Sequence, residues 1–125
     1  MTSPAPIRPI EPAPLAGPPP GTGAFAYRDG VLWAEGVPLT AIAEAAGTPA
    51  YVYSLSSIRA AYGAYREALG PLGIGIHYAV KANGNLAVLR ALGALGAGMD
   101  VVSGGELQRC LAAGIAADRI VFSGV

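Results

Sequence analysis

The sequence predicts an α/β fold built from parallel strand–helix units, and three observations predict it. Short β-prone runs alternate with amphipathic stretches three times and close on a fourth strand, at spacings of roughly 20–25 residues. The strand Ile74–Val80 is bulky and apolar on one face and small or polar on the other. It leads into Lys81, the single lysine among 125 residues. Parallel strands with one small-lined face suit either a doubly wound sheet or an eight-fold barrel, and the small face favours a barrel interior.

Each element has its own local reason. Phe25–Arg28 and Val31–Glu35 flank Asp29-Gly30, a dipeptide that accepts the positive φ of a tight hairpin turn. Pro38–Ala46 reads as a short helix with Leu39, Ile42, Ala43 and Ala46 on one face, ended by Gly47. Ala50–Tyr53 is expected to be a strand, and Ser54–Leu69 a helix with Leu55, Ile58, Ala61, Tyr62 and Tyr65 inward. Strand 74–80 follows, then helix 85–95 packing through Leu86, Leu89, Ala91 and Leu92. Strand 98–102, helix 104–113 and strand 119–122 complete the pattern. The expectation is a partial (β/α)8 TIM barrel, with about four strands of eight, where a whole barrel needs about 250 residues. A parallel strand needs both faces buried, so the sequence reads as the N-terminal part of something larger.

Residues 1–23 hold eight prolines, including Pro18-Pro19-Pro20. That composition resists helix and central strand, and the segment is expected to be a disordered leader. The remainder divides into a hairpin and short helix at 24–48 and the barrel units at 49–125.

Composition excludes several functions. Eight basic and eight acidic residues balance, which argues against a nucleic-acid surface. Cys110 is the sole cysteine, so neither an internal disulfide nor a cysteine-rich metal site is expected. No apolar run is long enough to span a bilayer and no secretory signal opens the chain, so a cytoplasmic protein is expected. Gly96-Ala-Gly98 precedes a strand instead of following one, which is wrong for a dinucleotide fingerprint. Val102-Ser-Gly-Gly-Glu106 looks like a transporter-ATPase signature, but no P-loop accompanies it.

Lysine, unlike arginine, can shed its proton and attack a carbonyl to form an imine. By alternation, Gly75, His77, Ala79 and Lys81 share the small face, with Lys81 at the end where barrel enzymes place catalysis. Ala79 leaves room for a flat ring. His77, about 13 Å back at strand rise, is assigned to interior packing. Asp100 sits in an otherwise apolar strand and needs a partner: a cation at the barrel mouth or a neighbouring backbone N–H. Ser103 and Glu106 form a capping box, which alone accounts for both, while Gly104 and Gly105 would also let a phosphate approach. Cys110 is expected to be a small buried filler.

Four segments in register, Gly47-Thr-Pro-Ala-Tyr-Val-Tyr53, His77-Tyr-Ala-Val-Lys-Ala-Asn83, Met99-Asp-Val-Val-Ser-Gly-Gly-Glu-Leu107 and Arg119-Ile-Val-Phe-Ser-Gly124, resemble the diaminopimelate decarboxylase family. These are pyridoxal-phosphate enzymes of the alanine-racemase-like fold, and the resemblance covers residues 25–125. It implies that Lys81 binds pyridoxal 5'-phosphate covalently, that Asp100 lies near that cofactor, whose flat ring the small Ala79 would admit, and that Glu106 is an acid one layer further out. It also implies decarboxylation of meso-diaminopimelate to L-lysine by a homodimer, with a small amino acid as substrate and no metal. The hairpin resembles the segment that joins a second, β-rich domain of that family. The alternatives are an ornithine, arginine or carboxynorspermidine decarboxylase of the same fold, or a noncatalytic pyridoxal-phosphate-binding homologue.

Overall fold

Backbone pairing in the computed structural model, which describes residues 23–124, forms two three-stranded sheets. The expected Pro-rich leader lies, Gly23 excepted, outside the described residues. The first sheet is antiparallel. β1 (Phe25–Arg28) pairs with β2 (Val31–Ala34) in the register Arg28↔Val31, and Asp29 and Gly30 between them have φ of 49° and 78°. Both values are positive, as the tightest hairpin turns require. A second turn at Glu35-Gly36 returns the chain as β3 (Val37–Pro38).

This last strand corrects the expected helix start at Pro38. With ψ at 138°, Pro38 stays extended and serves as the N-cap residue, so α1 runs Leu39–Ala46. Gly47, at φ 78°, ends the helix where expected.

Residues 50–53 are the larger correction. Among the described residues they pair with no strand, and Tyr51 and Tyr53 are 93% and 58% exposed. β-propensity alone makes no strand without a neighbouring backbone in register, and β4 pairs only with β5 among the described residues. The segment leads straight into Ser54, whose hydroxyl caps α2 (Leu55–Leu69) by accepting from the Ser57 N–H.

The second sheet is parallel, in the order β4 (His77–Ala79), β5 (Gly98–Val101), β6 (Ile120–Phe122). α3 (Leu86–Leu95) and α4 (Gly104–Ala112) cross between consecutive strands. The core lies between these helices and one sheet face, and Val80, Leu89, Met99, Val101 and Cys110 are almost wholly buried in it. The row Tyr78–Met99–Ile120 faces this core. The neighbouring row, Ala79–Asp100–Val121, points to the opposite side by the pleat.

That opposite face is open among the described residues. His77, expected to pack in a barrel interior, lies on this face and is exposed. Its ring lies over Gly98, where a Cβ would overlap it.

β4 is also shorter than the predicted 74–80. Ile74–Ile76 precede the ladder and Val80–Ala82 form a single 3-10 turn, closed by the Asn83 N–H to the Val80 carbonyl at 3.1 Å. Lys81 thus sits in a turn beyond the strand, and simple alternation does not describe it. Val80, on the same side as Tyr78, is buried in the core at 1% exposure.

Candidate functional site

The C-terminal ends of three adjacent parallel strands lie side by side, which is where α/β proteins of this kind assemble ligand sites. On β4 the end is Ala79 followed by the exposed Lys81. One residue before the end of β5 is Asp100, in register with Ala79, and one before the end of β6 is Val121, in register with Asp100. Two residues beyond Val121 stands Ser123, whose Oγ donates to Asp100 Oδ1 at 2.5 Å. This hydroxyl is the partner that Asp100 requires, in place of the lysine or backbone N–H that the sequence suggested.

Short polar contacts fix the turn carrying Lys81. The Tyr78 hydroxyl donates to the Asn83 carbonyl at 3.3 Å. Burial, with Tyr53 close by, pushes the Tyr78 phenol above its ordinary value, so it remains a donor. Asn83 Oδ1 accepts from the Asn85 N–H at 2.9 Å, and Asn85 in turn caps α3 by accepting from Ala87 N–H at 2.8 Å. The lysine is therefore mounted between a buried strand end and a capped helix.

The loop after β5 is organised by Ser103 and Glu106. Ser103 Oγ accepts from the Glu106 N–H at 3.2 Å, half of the expected capping box. Glu106 Oε2 reaches one residue further back than the motif requires, to the Val102 N–H at 2.8 Å. Gly104 and Gly105 have open space where a Cβ would stand.

Residues 55–125 match the family model described as "Pyridoxal-dependent decarboxylase, pyridoxal binding domain". The chain belongs to the pyridoxal-dependent decarboxylase family. It is 60% identical over 102 residues to a diaminopimelate decarboxylase of Pseudomonas fluorescens, covering 82% of this chain and 24% of that protein. A crystal structure from Aquifex aeolicus superposes with a TM-score of 0.76 at 50% identity, over 82% of this chain and 25% of that one. The diaminopimelate decarboxylase of M. jannaschii in complex with L-lysine gives 0.76 at 39% identity, over 83% and 25%. The chain spans about a quarter of the length of the curated relatives it matches.

Ala79 and Asp100 stand in register near the ends of β4 and β5, and Lys81 follows Ala79 by two residues in the turn. Glu106 lies on α4 and holds the Val102 N–H, His77 lies two residues before Ala79 on β4, and Cys110 is on α4. Cys110 is fully buried, and burial raises its thiol above the ordinary value, as befits an inert filler.

Ser123, Tyr78, Asn83 and Asn85 were not singled out from sequence. Asn85 carried a readable signal, a capping residue just before an apolar run. Ser123 carried a weaker one, since alternation along β6 places it on the side of Asp100. A groove of about 510 Å³ between α2 and the free edge of β4 is lined by Tyr53, Ile58, Tyr62, Tyr65 and Leu92. Lys81 and Asp100 do not line it, but Ala79 and the turn residues Ala82 and Asn83 do, so the groove abuts the strand ends.

Proposed function

We propose that the protein is a pyridoxal-phosphate-dependent decarboxylase that converts meso-diaminopimelate to L-lysine and CO2. The observation that carries this reading is Lys81. It is the one primary amine side chain of the sequence, exposed at the C-terminal end of β4, within the residues matched by the pyridoxal-binding family model. An aldehyde cofactor needs such an amine. The methyl of Ala79 and the Asp100 carboxylate beside it suit a flat cationic ring, so the residues present fit the group.

In this reading Lys81 is the residue that would hold the cofactor, through its side-chain amine. Tyr78 and Asn83 hold the turn that aims the lysine, and Asp100 supplies negative charge at the strand ends. Glu106 fixes the Val102–Ser103 segment through the Val102 N–H. Bound pyridoxal phosphate supplies an electron sink for the charge left when the α-carboxylate departs.

The identity to diaminopimelate decarboxylases supports this substrate over an ornithine, arginine or carboxynorspermidine skeleton. The reading includes a complete (β/α)8 barrel in the whole protein, with residues 49–125 contributing its first units and 24–48 associating with a second β-domain. It also includes a homodimer and a cytoplasmic setting, and among the described residues no helix is long and apolar enough to cross a membrane.

Borohydride reduction of the whole protein loaded with pyridoxal phosphate, followed by peptide mapping, should find the pyridoxyl group on Lys81. Lys81→Ala should lose the label and several powers of ten in rate, because the covalent anchor is gone. A label on another lysine would overturn the assignment.

A further inference from the structure

Asn83-Gly84 begins two residues after Lys81 and carries a chemistry that the proposed reaction does not use. Glycine has no Cβ to shield its backbone nitrogen, so the side-chain amide of an asparagine before it is open to attack. The Gly84 nitrogen gives up its proton and bonds to Asn83 Cγ, the Cγ–Nδ2 bond breaks, and ammonia leaves. Water then opens the five-membered imide at either carbonyl, giving aspartate or iso-aspartate. One water is consumed and one ammonia released, with no oxidation or reduction.

The structure holds the nucleophile ready but turns it away. Among the described residues no acceptor takes the Gly84 N–H. Ring closure needs the Gly84 nitrogen on the Cβ side of the Asn83 Cα–C bond, which requires a strongly negative ψ. Asn83 has ψ 106°, and that value directs the nitrogen away from Cβ. The Asn85 N–H, donating to Asn83 Oδ1 at 2.9 Å, polarises the amide and by itself favours attack. Geometry outweighs it, because polarisation does nothing for a nucleophile held out of reach.

Two contacts fix that angle. The Tyr78 hydroxyl donates to the Asn83 carbonyl at 3.3 Å, and the exposed Arg109 guanidinium donates to the Gly84 carbonyl at 3.3 Å. Rotating ψ of Asn83 swings both carbonyls, so neither bond survives the turn that the reaction needs. We propose that Asn83-Gly84 is a deamidation site, restrained in the folded protein by the clamp that Tyr78 and Arg109 place on the turn after β4. The iso-aspartyl product adds one carbon to the main chain and a carboxylate beside the Lys81 turn. The proposal stands independently of the cofactor reading.

The test incubates the whole protein in mildly alkaline buffer, beside a synthetic peptide of residues 79–86 as the unstructured reference. Aspartate and iso-aspartate at position 83 are followed by peptide mapping. Only the opened turn reacts, so the folded protein should deamidate about tenfold or more slowly than the peptide. Tyr78→Phe and Arg109→Met should each speed the folded protein by about two- to tenfold, the range for one lost hydrogen bond. Arg109 is exposed, so its variant keeps the test intact if Tyr78→Phe disturbs folding, which near-UV circular dichroism reads. Gly84→Ala added to either variant should suppress the reaction. A folded protein that deamidates as fast as the peptide would overturn the restraint, as would unchanged rates in both folded variants. Aspartate without iso-aspartate would mean direct hydrolysis and remove Gly84 as the nucleophile.

Discussion

Gly98 sets how closely the open sheet face can be packed. A Cβ there would overlap the His77 ring and stand 3.0 Å from the Arg119 carbonyl oxygen. The imidazole is exposed and can swing aside, but the carbonyl belongs to a segment the Arg119 guanidinium fixes by donating to Ala97 O at 2.6 Å and Gly93 O at 3.2 Å. Gly98→Ala should therefore cost about 1–3 kcal/mol as overpacking. Adding His77→Ala should recover only part of that cost, read by denaturant unfolding of the pair and both single variants. Full recovery would mean that the ring alone sets the constraint. Asp100 makes the complementary point about legibility. Its need for a partner was readable from an acid among apolar neighbours, but the partner lies 23 positions away, and only the β5–β6 register brings it there.

At the scale of elements, the joint between hairpin and barrel units turns on Glu35. It sits at φ 55° in the β2–β3 turn and reaches the start of α2, where its Oε1 accepts from Ser54 Oγ at 2.8 Å and the Ser56 N–H at 3.0 Å. The Ser56 N–H above all, then the Ser54 and Ser56 hydroxyls, hold its carboxyl below the usual value. A lowered folded value means that the joint contributes fully above the unfolded value of about 4.3 and is lost as pH falls through the folded one. Trp33, the one tryptophan of the chain, lies in the hairpin under the Arg28 guanidinium at 4.9 Å and reports on it. Its emission should change in acid, and Glu35→Gln should abolish that acid step. A step of equal size in the variant would assign it to another group. Ser54, only 5% exposed, also caps α2, so Ser54→Ala should cost about 1 kcal/mol near neutral pH.

For the molecule as a whole, exposed edges and faces dominate. β4 and β6 each have an edge with no strand beside it among the described residues, and Tyr51, Tyr53, Val121 and Phe122 are largely exposed. Unpaired edges with apolar side chains are templates for association. Residues 1–125 expressed alone should therefore self-associate or remain loosely packed, without decarboxylase activity. Size-exclusion chromatography with near-UV circular dichroism reads both properties. A monomer with sharp tertiary signals would show that this chain is self-sufficient. The packed side should behave otherwise: Leu89→Ala, at a position with no exposure, should cost about 2–5 kcal/mol wherever the sheet is formed.

The sequence by itself determined the elements whose information is local. Asp29-Gly30 specified its hairpin, Gly47 its helix end, Ser103 its cap, and the 3.6-residue spacing of Leu89 and Leu92 the buried face of α3. It also isolated Lys81 by rarity and position. Tertiary structure decided whatever depended on a neighbour far along the chain. Residues 50–53 have strand propensity but no ladder, because hydrogen bonds between strands require a second backbone in register. Lys81 leaves the alternating face because the chain passes into a 3-10 turn at Val80–Ala82, closed by the Asn83 N–H to the Val80 carbonyl. Ser123 meets Asp100 only because the parallel crossover through α4 sets β5 beside β6.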